Sequence, residues 1–171
     1  MSKKALFEVY VMNLGNDRGD YFTVSTLEEL AEAERVVNPR GWNDTEVQLI
    51  DLYFDCYKCN FEVIDFLRLM EKYSISPEDL GYLFVGHTYS EVEEILKEDI
   101  FFTVIDADTK KEAFEEYIRE GNLIEIPEHL ESYIDWNSIL IDWECGGLNI
   151  YKVAEASKTV YSNKYLIIDN Y

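Results

Sequence analysis

The stretch Phe101-Phe102-Thr103-Val104-Ile105-Asp106-Ala107-Asp108-Thr109-Lys110-Lys111-Glu112-Ala113-Phe114-Glu115-Glu116-Tyr117-Ile118-Arg119-Glu120-Gly121 decides the fold class. Its first five residues form a short aromatic and β-branched run, which reads as a buried strand. Thr109-Lys110-Lys111-Glu112 is a capping box, in which a Thr hydroxyl and a Glu carboxylate satisfy each other's backbone donors. Ala113, Phe114, Tyr117 and Ile118 then share one helical stripe, so residues 110–120 read as a helix. Gly121 is placed to end it in a left-handed conformation. Glu112, Glu115, Glu116 and Glu120 are left on the other faces. A strand running through an Asp106-Ala107-Asp108 turn into an amphipathic helix is the unit of an α+β fold.

The same grammar extends in both directions. Upstream, residues 7–14 alternate around Phe7, Val9 and Val11, residues 16–20 carry turn chemistry, and residues 21–24 return as a second strand. Ser25-Thr26-Leu27-Glu28 opens a helix to about Arg35, and residues 45–54 read as a third strand. The middle is helical: Asn60 caps a helix with the stripe Val63, Phe66, Leu67 and Met70, and Ser76-Pro77 starts another with Pro at its first position. Ser90 and Glu91 open a third, burying Val92, Ile95 and Leu96 and leaving Glu91, Glu94 and Glu98 in water. Downstream, residues 127–133 and 135–143 read as helices, and residues 148–153 pair with residues 165–169 as a terminal hairpin. The expectation is an elongated α+β chain of three consecutive units with short antiparallel sheets: residues 1–60, a helical middle at 61–99, and residues 100–171.

Charge narrows the function. The chain has 171 residues, 35 Asp plus Glu against 15 Lys plus Arg, and a net charge of -20. Disordered acidic chains lack the apolar and aromatic residues needed to offset chain entropy, whereas this one is 47% hydrophobic and 15% aromatic, so it folds. Residues 74–145 hold 19 acids and 4 bases, net -15, interleaved with apolar residues at helical spacing. Each acidic run by itself is a solvated helix face; their concentration in one region is what asks for an explanation. Nucleic acid and anionic membranes attract cations, so neither is a partner. No apolar run reaches the ~18 residues of a membrane span. The N-terminal residues lack the apolar core of a signal peptide, and three cysteines suit reduced thiols, so a cytoplasmic protein is expected.

Catalytic signatures are weak. Cys56-Tyr57-Lys58-Cys59 is a single CxxC, short of the four ligands of structural zinc. His87, in a Gly86-His87-Thr88 turn, and His129, on a Glu-rich helix, both read as surface residues. Asp106 and Asp108 lack the ligand ring of a calcium loop. Phosphate-cradling glycine loops and nucleophile elbows are missing. The reading is a protein without enzymatic activity, cofactor or metal.

Two segments resemble a known family. Tyr10-Val11-Met12-Asn13-Leu14-Gly15 is similar to the opening strand and turn of ArdA-type antirestriction proteins. Ile126-Pro127-Glu128-His129-Leu130-Glu131-Ser132-Tyr133-Ile134-Asp135-Trp136 is similar to that family's C-terminal signature, and the helix before it has a similar Glu-Glu-Tyr pattern. Asn16-Asp17-Arg18-Gly19 and Ile141-Asp142-Trp143 depart from the family's usual sequences. The resemblance implies a homodimeric DNA mimic that occupies the DNA-binding groove of type I restriction-modification enzymes, in a family carried on plasmids and conjugative transposons. The acids expected to carry that role are Glu91, Glu94, Glu98, Asp99, Glu112, Glu115, Glu116, Glu120, Glu125, Glu128, Glu131 and Asp135, acting together. Ile126, Pro127, Leu130, Tyr133, Ile134 and Trp136 are expected to form the C-terminal scaffold, as core alone or as core and dimer contact. Two rival readings remain: an acidic adaptor or inhibitor of another basic or DNA-binding protein, and a hydrolase built on a carboxylate pair.

Overall fold

The computed structural model describes residues 5–54, 61–153 and 164–170. The chain folds as α+β, with two three-stranded antiparallel sheets and helices interspersed with the strands along the sequence. It divides into two compact units, residues 1–93 and 94–171, where the sequence reading drew three.

The first unit is built on β1 (Phe7–Asn13), flanked by β2 (Arg18–Val24) and β3 (Thr45–Leu52). Phe7, Val9, Val11 and Asn13 are buried and alternate with half-buried neighbours, the period-two signature of a sheet with one face covered. The strand β2 begins at Arg18, three residues before the expected start, because it pairs with β1 along its full length from Asn13–Arg18 to Phe7–Val24. Gly19 belongs to that strand, not to the turn; a Cβ there would meet the Tyr10 ring at 2.6 Å and the Val11 carbonyl at 2.5 Å. Helix α1 (Leu27–Val37) is capped by Thr26, whose hydroxyl accepts from Glu29 N, while the Glu29 carboxylate accepts from Ser25 N at 2.6 Å. The cap therefore sits one residue further on than the sequence suggests.

Helices α2 (Val63–Tyr73) and α3 (Pro77–Leu83) belong to this unit. The reason is aromatic: Phe66 of α2 packs at 5.3 Å from Phe7 of β1, 4.7 Å from Phe61, 5.4 Å from Phe54 and 5.8 Å from Phe84. A helix that places such a ring against the sheet shares the sheet's core. Ser76 caps α3 as expected. The expected Asn60 cap lies outside the described residues; the cap position of α2 is Glu62, which makes no side-chain cap bond. Met70 is half-buried, and Leu69 takes its place among the buried residues. Helix α4 (Tyr89–Lys97) is capped by Thr88, two residues before the predicted Ser90, because Thr88 and Glu91 form the capping pair.

The second unit holds β4 (Phe101–Asp106), α5 (Lys110–Glu120), a 3-10 helix (Glu128–Tyr133), α6 (Trp136–Gly146), β5 (Leu148–Val153) and β6 (Lys164–Asp169). The terminal hairpin pairing is present, and β6 is also the central strand, in the order β4-β6-β5. This reverses the burial expected for β4: at the edge it buries only Ile105, while Tyr165, Leu166, Ile167 and Ile168 of β6 are all buried. Helix α5 matches its predicted limits, with both bonds of the Thr109–Glu112 capping box formed. Gly121 does not take the left-handed position; its φ is -77°, and Asn122 adopts φ 49° instead. Asn tolerates this conformation better than most residues, so the left-handed turn falls one residue later while the helix itself ends at Glu120. Residues 128–133 are a 3-10 turn with no buried member: Leu130 and Tyr133, though spaced as on a helix, both face solvent. Phe114 holds the core together, edge-on to Trp136 at 6.2 Å and Trp143 at 5.8 Å.

Candidate partner-binding surface

The acidic residues divide into those committed to the fold and those left over. Glu91 accepts from Thr88 N at 2.7 Å and from the Thr88 hydroxyl at 2.9 Å, and these bonds hold its carboxyl below the usual range. Glu112 turns back to Asp108 N and Thr109 N at 3.1 and 3.2 Å. Asp135 caps α6 by accepting from the Ser138 hydroxyl at 2.7 Å and from Ser138 N, which lowers its pKa likewise. These three carboxylates are committed to helix N-termini.

Glu115 and Glu131 are half-buried and paired. Glu115 lies 3.4 Å from Lys111 and 4.0 Å from Arg119, and Arg119 also pairs with Glu131. Glu98 meets Lys97 at 3.3 Å across an exposed contact, a kind of pair that contributes little. What remains is exposed and, among the described residues, has no ion-pair partner: Glu94, Asp99, Glu116, Glu120, Glu125 and Glu128. Glu116 and Glu120 are one helical turn apart, about 6 Å at 1.5 Å per residue. Like charges at this spacing destabilise a helix by a few tenths of a kcal/mol.

The cations of α4 and α5 offer them no relief. Lys97, Lys110, Lys111 and Arg119 are taken by Glu98, Glu144, Glu115 and Glu131. An open pocket of about 620 Å³ lies between the end of α5 and the 3-10 helix, with Glu125, Glu128, Glu131 and the paired Arg119 around Ile126 and Pro127.

The six expected scaffold residues separate. Trp136 is buried in the core, and Ile126 and Ile134 pack against it. Pro127, Leu130 and Tyr133 face solvent, Leu130 at 45% and Tyr133 at 84% exposure. Of the histidines, His129 is exposed as expected. His87 is half-buried instead, its Nδ1 2.9 Å from the Leu83 carbonyl at the end of α3. Cys145 is an exposed free thiol, and the Cys56–Cys59 motif lies outside the described residues. Among the described residues, no three His, Cys, Asp or Glu side chains are grouped as a metal would need, and no helix is long and apolar enough to cross a membrane.

The charge is also spread more widely than the run-by-run reading indicates. Residues 1–93 hold 18 acids and 8 bases and residues 94–171 hold 17 and 7, so each unit carries ten excess negative charges. Exposed acids outside the expected set include Glu46, Asp51 and Asp106 on strands and Asp142 on α6. For Glu46 the sequence signal is the alternation of polar and apolar residues along β3. Comparison of the chain with protein-family models and with curated proteins finds no match.

Proposed function

We propose that this protein is an antirestriction protein that stands in for bent duplex DNA and inhibits type I restriction-modification enzymes by occupying their DNA-binding groove. The observation that carries the reading is the set of unpaired carboxylates fixed on or beside α4, α5 and the 3-10 helix, while the nearby cations are already paired. A carboxylate held on a helix presents its charge at a set spacing, which a groove lined with Lys and Arg recognises and a flexible acidic tail does not. Duplex DNA carries one charge per ~1.7 Å of axis, so a homodimer with about 40 excess negative charges matches roughly 20 base pairs. In this proposal the protein acts in the cytoplasm, as a homodimer, without catalysis, in the service of mobile DNA. The test is restriction of unmodified phage by cells carrying a type I system: expression of the protein raises plating efficiency. Equal restriction with and without it ends the proposal.

A further inference from the structure

We propose that the free edge of β3 is a docking strand for a partner protein, and that it receives an extended segment in which Lys or Arg alternates with apolar residues. The strand lies at the margin of its sheet, paired to β1 on one side only. Leu14 N donates to the Asp44 carbonyl at 3.0 Å, which turns the backbone of Asp44 toward β1. Backbone direction alternates along an antiparallel ladder, so Glu46 and Gln48 also face β1 while Thr45 and Val47 present their N–H and C=O groups outward. Such a row is a template for one more strand unless the protein blocks it.

Among the described residues, the strongest of the usual blocks, Lys and Pro on the strand itself, are missing. At eight residues β3 is the longest described strand, and Thr45-Glu46-Val47-Gln48-Leu49-Ile50-Asp51-Leu52 contains no Lys, Arg or Pro. Its irregularity falls near one end, where the register shifts opposite Glu8 and Val9. Its apolar side is only partly covered among the described residues. Val47 and Leu49 pair with the buried Val11 and Val9, and α1, which packs mainly on β1 and β2, reaches β3 at its start, where Thr45 donates to Glu34 and Val47 is half-buried. Leu49 is left 38% exposed and Ile50 48%, with Trp42 77% exposed just before the strand.

The side chains select the occupant. On the opposite face, Glu46, Gln48 and Asp51 stand across from Met12, Tyr10 and Glu8. Opposite charges on neighbouring strands stabilise and like charges destabilise. A second copy of β3 would bring the Glu46 and Asp51 face against itself. A segment with cationic side chains on that face and apolar ones over Val47 and Leu49 satisfies both faces, with main-chain bonds for affinity and alternation for specificity. The inference concerns the first unit's sheet and does not rest on the antirestriction reading.

The experiment uses the full chain and three fluorescein-labelled octapeptides: alternating Lys-Val, the same composition as four Lys then four Val, and alternating Glu-Val. Anisotropy at ~0.15 M salt, where the Debye length is about 8 Å, is expected to show the alternating Lys-Val peptide binding at least 10-fold tighter than the block peptide. Attraction to net charge alone treats the two alike, and equal binding overturns the proposal. Val47→Pro removes an outward N–H from an edge strand, where Pro is tolerated, and is expected to reduce the alternating peptide to the level of the block peptide. The double variant Glu46→Lys/Asp51→Lys, which changes only exposed side chains, is expected to reverse the preference toward Glu-Val. If that variant keeps wild-type selectivity, the proposal fails whether or not Val47→Pro folds.

Discussion

Replacing Glu116, Glu120, Glu125 and Glu128 together with Gln removes four carboxylates that have no ion-pair partner among the described residues. The excess charge of residues 94–171 falls from ten to six. Each lost contact with a Lys or Arg of a restriction enzyme is a solvent-edge pair of ~0.2–1 kcal/mol. Four such pairs at about 0.5 kcal/mol each amount to about 2 kcal/mol, or roughly 30-fold in affinity. The fold should not suffer, because none of the four caps a helix, and removing the Glu116–Glu120 repulsion is mildly stabilising. A matched control changes Glu112 and Asp135, which hold helix N-termini; it should lower the melting temperature. The assay pairs a thermal melt with a titration of purified type I enzyme holding labelled DNA. The reasoning is refuted if the quadruple variant inhibits as well as wild type, or if one of the four single changes accounts for the whole loss.

Two further predictions concern the two cores. Phe66→Ala empties the ring cluster around Phe7, Phe61 and Phe84 and should cost about 3–5 kcal/mol in urea unfolding; a loss below about 1 kcal/mol would mean that α2 does not share the sheet's core. Tyr117 donates to Asp169 at 2.5 Å, and burial, with that carboxylate second, raises its pKa well above the usual phenol value. Its stabilising contribution is thus complete below about pH 10 and is lost as pH rises further, since the unfolded chain ionises first. Tyr117→Phe should cost about 1–2 kcal/mol near neutrality and flatten the stability profile above pH 10; an unchanged alkaline slope would contradict the assignment.

What the sequence made legible was local. The Thr109–Glu112 box and the stripe from Ala113 to Ile118 lie within three turns of chain, and the helix they predict has the same limits in the fold. The alternation of Phe7, Val9 and Val11 likewise set the first strand. What depended on distant partners was not legible. The edge position of β4 follows from pairing with β6, some sixty residues later, and periodicity carries no term for that. The two-unit division follows from Phe66 meeting Phe7, another long-range contact. The acidic surface was half legible: exposure could be read from helical spacing, but whether a carboxylate is free depends on where Arg119, Lys111 and Ser138 lie. Glu91, Glu112 and Asp135 are a different case: each caps a helix through a residue three positions away, a local signal that the expected grouping with Glu116 and Glu120 passed over even where the Thr109–Glu112 box was readable.

The most direct measurement is competition for a purified type I restriction-modification enzyme loaded with fluorescent duplex carrying its unmodified recognition site. The account predicts that this protein displaces the DNA in proportion to its occupancy, and that displacement weakens steeply with added salt, as contacts with charged groups require. DNA that stays bound at saturating protein and low salt would contradict it.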